Sequence, residues 1–428
     1  TLIFSEAFAF ETSLHFVYER PIKIVSSKGP EAENAKKDGY SIRVSKSNPE
    51  FSWIYKKTEV KDENHLLQLL GAKKGFTFFL SEGQKALLAA FKYAQTESVK
   101  SRLKYGETSQ ALKNSNPPGA IEVSLADLSG FSSKNTKKKF GIDLKKDFWP
   151  WSSGTKIMIG SPFYNSPFSA SGAKSTMVHE LAHSLDNSVR ESDSYGKDGI
   201  HSSNEKTAPK AAWVEGWAEF NSMLDFKSEV FNINLSTTII KIEDSKTAGK
   251  YKRTFAPLSS LTGREMTEVE GINALILYRL SKDIPNGREK VFASFVATNN
   301  SDRDLSHFLR HFVASNPEYA KTVAQILDKQ TYGKLKKEDF SHFLGNDRVV
   351  DDYLKGGRKS IWGKIRETGK KIKNFFSGLF DSIKGIFSSK KAVISETTGT
   401  SNQINSSPKN SQLIPVKIFS PSSNPFGE

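Results

Sequence analysis

The chain of 428 residues contains no cysteine, and this absence removes several classes of function together. Disulfides, zinc fingers with cysteine ligands, thiolate nucleophiles and iron–sulfur clusters all require cysteine. The sequence also lacks any run of about 18 apolar residues, the length that a membrane-spanning helix needs. Histidine is scarce, with eight residues, so two histidines at a defined spacing are informative. Any protein-bound metal must use mainly imidazole and oxygen donors.

Acidic residues are outnumbered by basic ones, 47 against 62, which gives a formal net charge of +15. Such an excess favours anionic surroundings such as a membrane surface, an acidic wall polymer or nucleic acid. A basic protein without any such partner has the same composition. Basic and aromatic residues interleave little outside residues 358–391, so we do not expect nucleic acid as a partner.

Residues 175–186 contain the pattern His179-Glu180-x-x-His183 in a stretch that is typical of a helix. No glycine or proline interrupts it, and its apolar residues recur at helical spacing. Residues i and i+4 lie on one helix face, so the two imidazoles converge on one point. The carboxylate of Glu180 can then approach a water molecule at that point. The pattern predicts that His179 and His183 bind Zn²⁺ and that Glu180 is the general base; two surface histidines on an amphipathic helix are the alternative.

A second predicted helix, near residues 207–220, carries Glu215 and Glu219 at i, i+4 spacing among tryptophan, alanine and phenylalanine residues. Carboxylates in such an apolar helix are costly to bury unless they are paired or bound to a metal. Gly216 costs about 1 kcal/mol in a helix interior, which indicates close packing or a site. The helix therefore offers a third metal ligand, although an exposed acidic stripe would have the same spacing.

The pattern His179-Glu180-Leu181-Ala182-His183, followed by Glu215-Gly216-Trp217-Ala218-Glu219, resembles the gluzincin-type HExxH zinc metallopeptidases. The Glu-Gly-aromatic-Ala element is similar to that of aminopeptidase N-like enzymes. The His-Glu-x-x-His-x-x-Asp and Glu-x-x-Ala-Glu-x-Phe patterns resemble the lethal-factor-like group. The resemblance covers about 50 residues, and the chain lacks the Gly-x-Met-Glu-Asn motif with which aminopeptidases anchor substrates.

In gluzincins the third zinc ligand is a glutamate on a second helix. The resemblance thus implies that His179, His183 and Glu215 bind Zn²⁺, that Glu180 is the general base, and that Glu219 orients a ligand. The chain departs from the thermolysin-like and aminopeptidase-like members in the spacing between the second histidine and the third ligand. This spacing is longer here, since residues 184–214 separate His183 from Glu215.

Several further residues are candidates for the same site. Asp186 is a competing ligand, but the metzincin pattern would need glycine there, which favours a helix-end or supporting role. An oxyanion-stabilising donor is usually tyrosine, histidine or arginine. The candidates are Tyr278, His201 and Tyr195.

The order of predicted elements indicates an α+β fold with a zincin-like catalytic lobe, an active-site helix, a small antiparallel sheet and mainly helical structure elsewhere. We place a mainly helical N-terminal lobe at residues 10–116 and the zincin-like domain at residues 117–350, because residues 117–119 (Pro-Pro-Gly) break the pattern. The strand predicted at residues 155–160 would be an exposed edge that holds extended substrate by main-chain hydrogen bonds.

Both ends of the chain differ from the middle. Residues 1–9 resemble the end of a signal peptide with an Ala-x-Ala site, which predicts export to the periplasm, the cell envelope or the extracellular space. A short apolar strand of the fold is the alternative. Residues 351–391 form a basic amphipathic helical segment, whose part 358–391 suits an anionic membrane or cell-envelope surface, or alternatively packs on the protein's own core. Residues 392–428 are rich in serine, asparagine and proline and are expected to be disordered.

Together these features predict a zinc-dependent peptidase that acts on a peptide or protein substrate. The alternative is a catalytically inactive protein on a peptidase fold that binds a membrane or a cell wall.

Overall fold

The computed structural model describes residues 12–72, 76–112, 120–153, 155–164, 169–186, 202–244, 251–298 and 304–357. All of them belong to one unit, Thr1–Trp362. The predicted signal-peptide remnant, the basic stretch 358–391 and the tail 392–428 lie outside the described residues. None of the helices that the structure describes combines the length and apolar composition needed to cross a bilayer.

Two sheets and a set of helices make up the described part of the chain, which is mixed α and β. The strands are β1 (Ser13–Ser26), β2 (Ser41–Val44), β3 (Phe51–Glu59), β4 (Ala120–Ala126), β5 (Trp151–Ser153), β6 (Lys156–Gly160), β7 (Glu205–Lys206), β8 (Thr238–Asp244) and β9 (Tyr251–Pro257). The helices are α1 (Pro30–Lys37), α2 (Glu63–Leu69), α3 (Glu82–Ala94), α4 (Glu97–Leu112), α5 (Ser133–Phe140), α6 (Leu144–Asp147), α7 (Ser169–Leu185), α8 (Pro209–Met223), α9 (Gly263–Met266), α10 (Glu270–Asp283), α11 (Gly287–Ala297), α12 (Leu305–Ser315), α13 (Ala320–Gln330), α14 (Lys337–Leu344) and α15 (Asp347–Asp352).

The larger sheet has six strands in the order β2-β3-β1-β4-β6-β5. Strand β1 is parallel to β4, and β4 is parallel to β6, whereas the other pairs are antiparallel. The predicted small antiparallel sheet is therefore corrected to a larger, mixed one. Parallel neighbours need long crossover connections, and helices α2–α4 and α5–α6 lie within those connections. The second sheet has the order β7-β8-β9.

The predicted boundary between residues 116 and 117 differs from the structure, because β1 and β4 pair across it. The register runs from Ser13 opposite Ala120 to Glu19 opposite Ala126. Residues 10–116 also contribute three strands as well as helices, so they are not a separate, mainly helical lobe. Long-range strand pairing determines which segments share one sheet, and the sequence pattern of residues 117–119 carries no information on that pairing.

The prediction that residues 155–160 form the edge strand is wrong. Strand β6 lies between β4 and β5, and β5 is the edge of the sheet on this side. The three residues of β5 pair antiparallel with Lys156–Met158. Strand β5 also packs against α7, the helix that carries the His-Glu-x-x-His pattern.

Helix α7 lies between two hydrophobic cores, which fixes its position. Alternate residues of β1, β4 and β6 pack with one face of α7 and with α3, and the α7 residues in this core are Ala173, Met177, Val178, Leu181 and Leu185. On another side, Ala182 joins a larger core built by α8 and α10–α14. His179 and His183 lie on the side of α7 that faces α8.

Candidate metal centre

His179 and His183 lie side by side on α7, as the i, i+4 spacing predicts. Their ring centroids are 4.8 Å apart with the planes at 79°, and their Nε2 atoms are 3.1 Å apart. Each side chain is 16% exposed. The two imidazoles therefore present their Nε2 atoms to one point that solvent can reach.

Helix α8 brings Glu215 to the same point. Its Oε2 atom lies 3.1 Å from His183 Nε2 and 3.3 Å from His179 Nε2. The residue is 4% exposed, so its carboxylate is removed from most solvent. Proline at the first position of α8 suits the start of a helix. Within the part of the chain that the structure describes, these three residues are the group able to hold a metal ion.

The size of the donor triangle can be compared with that of a tetrahedral zinc site. With bonds of about 2.0–2.1 Å and tetrahedral angles, two zinc ligands are about 3.3 Å apart. The observed edges of 3.1, 3.1 and 3.3 Å nearly match this distance. Three donors leave one tetrahedral position open, which distinguishes catalytic zinc sites from structural ones. Two imidazoles and a carboxylate are also a donor set that zinc accepts.

Glu219 lies behind His179 rather than among the donors. Its Oε2 atom is 3.7 Å from His179 Nδ1, and its Oε1 atom accepts a hydrogen bond from the hydroxyl of Ser228. Burial lowers the pKa of His179, but the side-chain contacts with Glu215 and Glu219 and the charge of Glu215 outweigh it and hold this pKa well above its usual range. Burial raises the pKa of Glu219, and contact with His179 and Ser228 more than reverses that effect. Glu219 thus occupies the place of a residue that orients a ligand.

Glu180 follows His179 on α7 and is buried. Its negative charge contributes to the raised pKa of His179. It also contributes, after burial, to the raised pKa of Tyr164, a buried residue just after β6. Sequence spacing gives no signal for this proximity, because only the packing of Tyr164 in the same core as α7 brings it near Glu180.

Gly216 has a structural reason for its place in the interior of α8. A Cβ atom built on it would lie 2.4 Å from the Cβ of Asn273 and 2.9 Å from the carbonyl oxygen of Glu270, both on α10. The close approach of α8 and α10 therefore requires glycine. The close packing that the sequence indicated at Gly216 is present. This contact with α10 positions α8, the helix that carries Glu215 and Glu219.

The other candidates have different locations. Asp186 directly follows the end of α7 and is buried, but it is not in the donor group. Tyr278 lies on α10, where its ring contacts Phe231 and the ammonium group of Lys282. No hydrogen bond among the described residues joins its hydroxyl to the donor group. His201 and Tyr195 lie outside the described residues.

Comparisons with models of protein families, with curated proteins and with solved structures find no match for this chain.

Proposed function

We propose that this chain is a zinc-dependent peptidase of the gluzincin type, with a zincin-like catalytic unit and with His179, His183 and Glu215 as the zinc ligands. The observation that carries the proposal is the meeting of these three donors, from two helices, at distances that suit tetrahedral zinc.

Zinc bound in this triangle supplies a Lewis acid that polarises a carbonyl and acidifies water. Glu180 accepts the proton of the attacking water and then donates it to the leaving amine. Its position one residue after His179 and its burial suit this role, because a carboxylate with little solvent around it interacts strongly with nearby charges. Glu219 and Ser228 hold the ring of His179 in place through its Nδ1 side.

Strand β5 supports binding of an extended peptide. It is the edge of the six-stranded sheet, and it packs against the helix that carries the histidines. An edge strand offers main-chain N–H and C=O groups to a peptide that adds as a further strand. We assign to β5 the substrate-holding role that the sequence alone suggested for residues 155–160.

The experiment combines metal analysis with activity. The purified full chain is analysed for zinc by mass spectrometry and is incubated with a proteome-derived peptide mixture, in which new termini are identified. We expect one zinc per chain and new termini in the mixture. Replacing Glu180 with Gln should retain zinc and lower the rate of cleavage by at least about a hundredfold. This is the lower end of the range observed when a general base is lost. Replacing His183 with Ala should remove zinc and cleavage together.

Two results would contradict the proposal. If the native chain holds no zinc after purification in zinc-containing buffer, the proposed zinc site is wrong. A native chain that binds zinc but yields no more new termini than the Glu180→Gln variant would favour the alternative, a binding protein on a peptidase fold.

A further inference from the structure

Three phenylalanines project from the connection between α2 and α3, at some distance in sequence from the metal centre. Phe76, Phe78 and Phe79 are 59%, 64% and 68% exposed. Their rings contact one another, with centroids 5.7 Å apart for Phe76 and Phe78 and 3.9 Å apart for Phe78 and Phe79. We call these three residues the phenylalanine tip.

Described residues before and after the phenylalanine tip are buried or hydrogen-bonded. Leu70, at the end of α2, and Leu80, directly after the tip, are buried in the core beneath the six-stranded sheet. Ser81 and Gln84 form a capping box at the start of α3. The side chain of Gln84 also donates a hydrogen bond of 3.1 Å to the carbonyl oxygen of Leu70. The three exposed rings therefore lie between described residues that are anchored in the fold.

Among the other described residues, Phe255 on β9 is the large apolar residue with comparable exposure, at 68%. Within the described part of the chain, its ring contacts no other aromatic ring. One exposed phenylalanine is ordinary for a soluble protein, whereas three in four residues concentrate apolar surface at one point. Such a concentration indicates contact with an apolar medium or partner.

We propose that the phenylalanine tip inserts into the interface of an anionic lipid membrane. A projecting group of rings suits the boundary between headgroups and acyl chains, where Phe side chains of peripheral proteins are buried. The charge agrees: the chain carries +15, and Lys73 and Lys74 stand shortly before Phe76 in the sequence. Basic residues next to an inserting apolar group add attraction to anionic lipids. The inference does not depend on the proposed peptidase activity.

The first test measures binding of the full chain to vesicles by co-sedimentation. Vesicles of phosphatidylglycerol and phosphatidylcholine are compared with vesicles of phosphatidylcholine alone. We expect binding to the anionic vesicles, and the variant with Phe76, Phe78 and Phe79 all replaced by Ser should bind them at least about tenfold more weakly. The matched control, Phe255→Ser, removes an equally exposed phenylalanine and should bind like the native chain. Circular dichroism checks that both variants fold.

The second test reports insertion directly and separates it from binding through residues 358–391. Because the chain has no cysteine, Phe78→Cys and Phe255→Cys each give a single site for an environment-sensitive fluorophore. We expect anionic vesicles to shift the emission to the blue at position 78 and to leave it unchanged at position 255. Unchanged emission at position 78 would overturn the proposal, even if the chain still bound. Self-association that the triple variant abolishes, without vesicle binding, would overturn it in favour of a second copy of the chain.

Discussion

Gly216 lies directly against Asn273 where helices α8 and α10 meet, so closely that a Cβ atom on Gly216 would be 2.4 Å from the Cβ of Asn273. The same helix α8 carries Glu215 and Glu219 toward α7. The separation of α8 and α10 therefore affects the position of both carboxylates relative to the histidines. This relationship links the packing of the helical core to the proposed zinc site.

Replacing Gly216 with Ala should lower the free energy of unfolding by about 1–3 kcal/mol, because the added methyl overpacks the contact with α10. The affinity for zinc should fall as well, since α8 must shift. Urea unfolding and zinc competition with a fluorescent chelator measure the two effects. The control is Gly172→Ala on α7, where the nearest atom would be 3.8 Å away on Tyr164; it should be neutral or stabilising. Equal behaviour of the two variants would contradict the packing argument.

Replacing Ser228 with Ala should weaken zinc binding by about tenfold or more, because groups that orient a zinc-bound histidine have effects of this size. The hydroxyl of Ser228 holds Glu219, which faces Nδ1 of His179. The Ser228→Thr variant keeps a hydroxyl and should retain most of the affinity. Isothermal titration with zinc distinguishes the two, and loss of affinity in both would point to a packing effect instead.

Replacing Arg102 with Met should lower the free energy of unfolding by about 3 kcal/mol, because it breaks a buried ion pair. Arg102 is 2% exposed and lies 2.7 Å from Asp225, just after α8. It also donates to the carbonyl oxygen of Asn221 at 2.7 Å, so it ties α4 to the end of α8. The exposed pair Lys100–Glu97 on the same helix provides the control, since Lys100→Ala should change stability by less than about 1 kcal/mol.

The ion pair between Lys57 and Glu122 should contribute to stability at neutral pH and not in acid. The two groups are 3.0 Å apart and partly exposed. Burial raises the pKa of Glu122, but the hydrogen bond and charge of Lys57 outweigh it and lower this pKa in the folded state. The stabilisation is therefore complete above the unfolded pKa and disappears as the pH falls through the folded one. At pH 7, Glu122→Gln should lower the free energy of unfolding in urea by less than about 1 kcal/mol. The difference from the native chain should shrink as the pH falls below the ordinary glutamate pKa of about 4.3 and vanish once the pH is below the folded pKa of Glu122.

Removal of zinc should lower the thermal stability of the native chain, because a ligand that binds only the folded state stabilises it. Free zinc at 100 times the dissociation constant should add about 2.7 kcal/mol. Differential scanning calorimetry with and without a chelator measures the change. The His183→Ala variant is the control and should show no effect of the chelator. An identical effect in both would show that zinc acts elsewhere on the chain.

The sequence by itself determined the local half of the candidate site. The spacing of His179 and His183 and the absence of glycine or proline between them are sufficient to align two imidazoles, because the helix period is fixed by backbone geometry. Glu215 and Glu219 were identified in the same way as one face of a second helix. The cost of burying carboxylates made that helix a reasonable partner.

Only the tertiary structure decided which of these groups meet. The two halves come together because α7 and α8 share a core, and sequence spacing carries no information on that contact. The same limit explains the correction to the sheet. A strand can be predicted from its residues, but its place in the sheet cannot. Strand β6 is internal because it pairs with the distant strand β4 as well as with β5, and this pairing leaves β5 at the edge. Gly216 illustrates both kinds of information. The sequence shows that a glycine destabilises the interior of this helix, but only the tertiary structure shows that Asn273 is the residue packed against it.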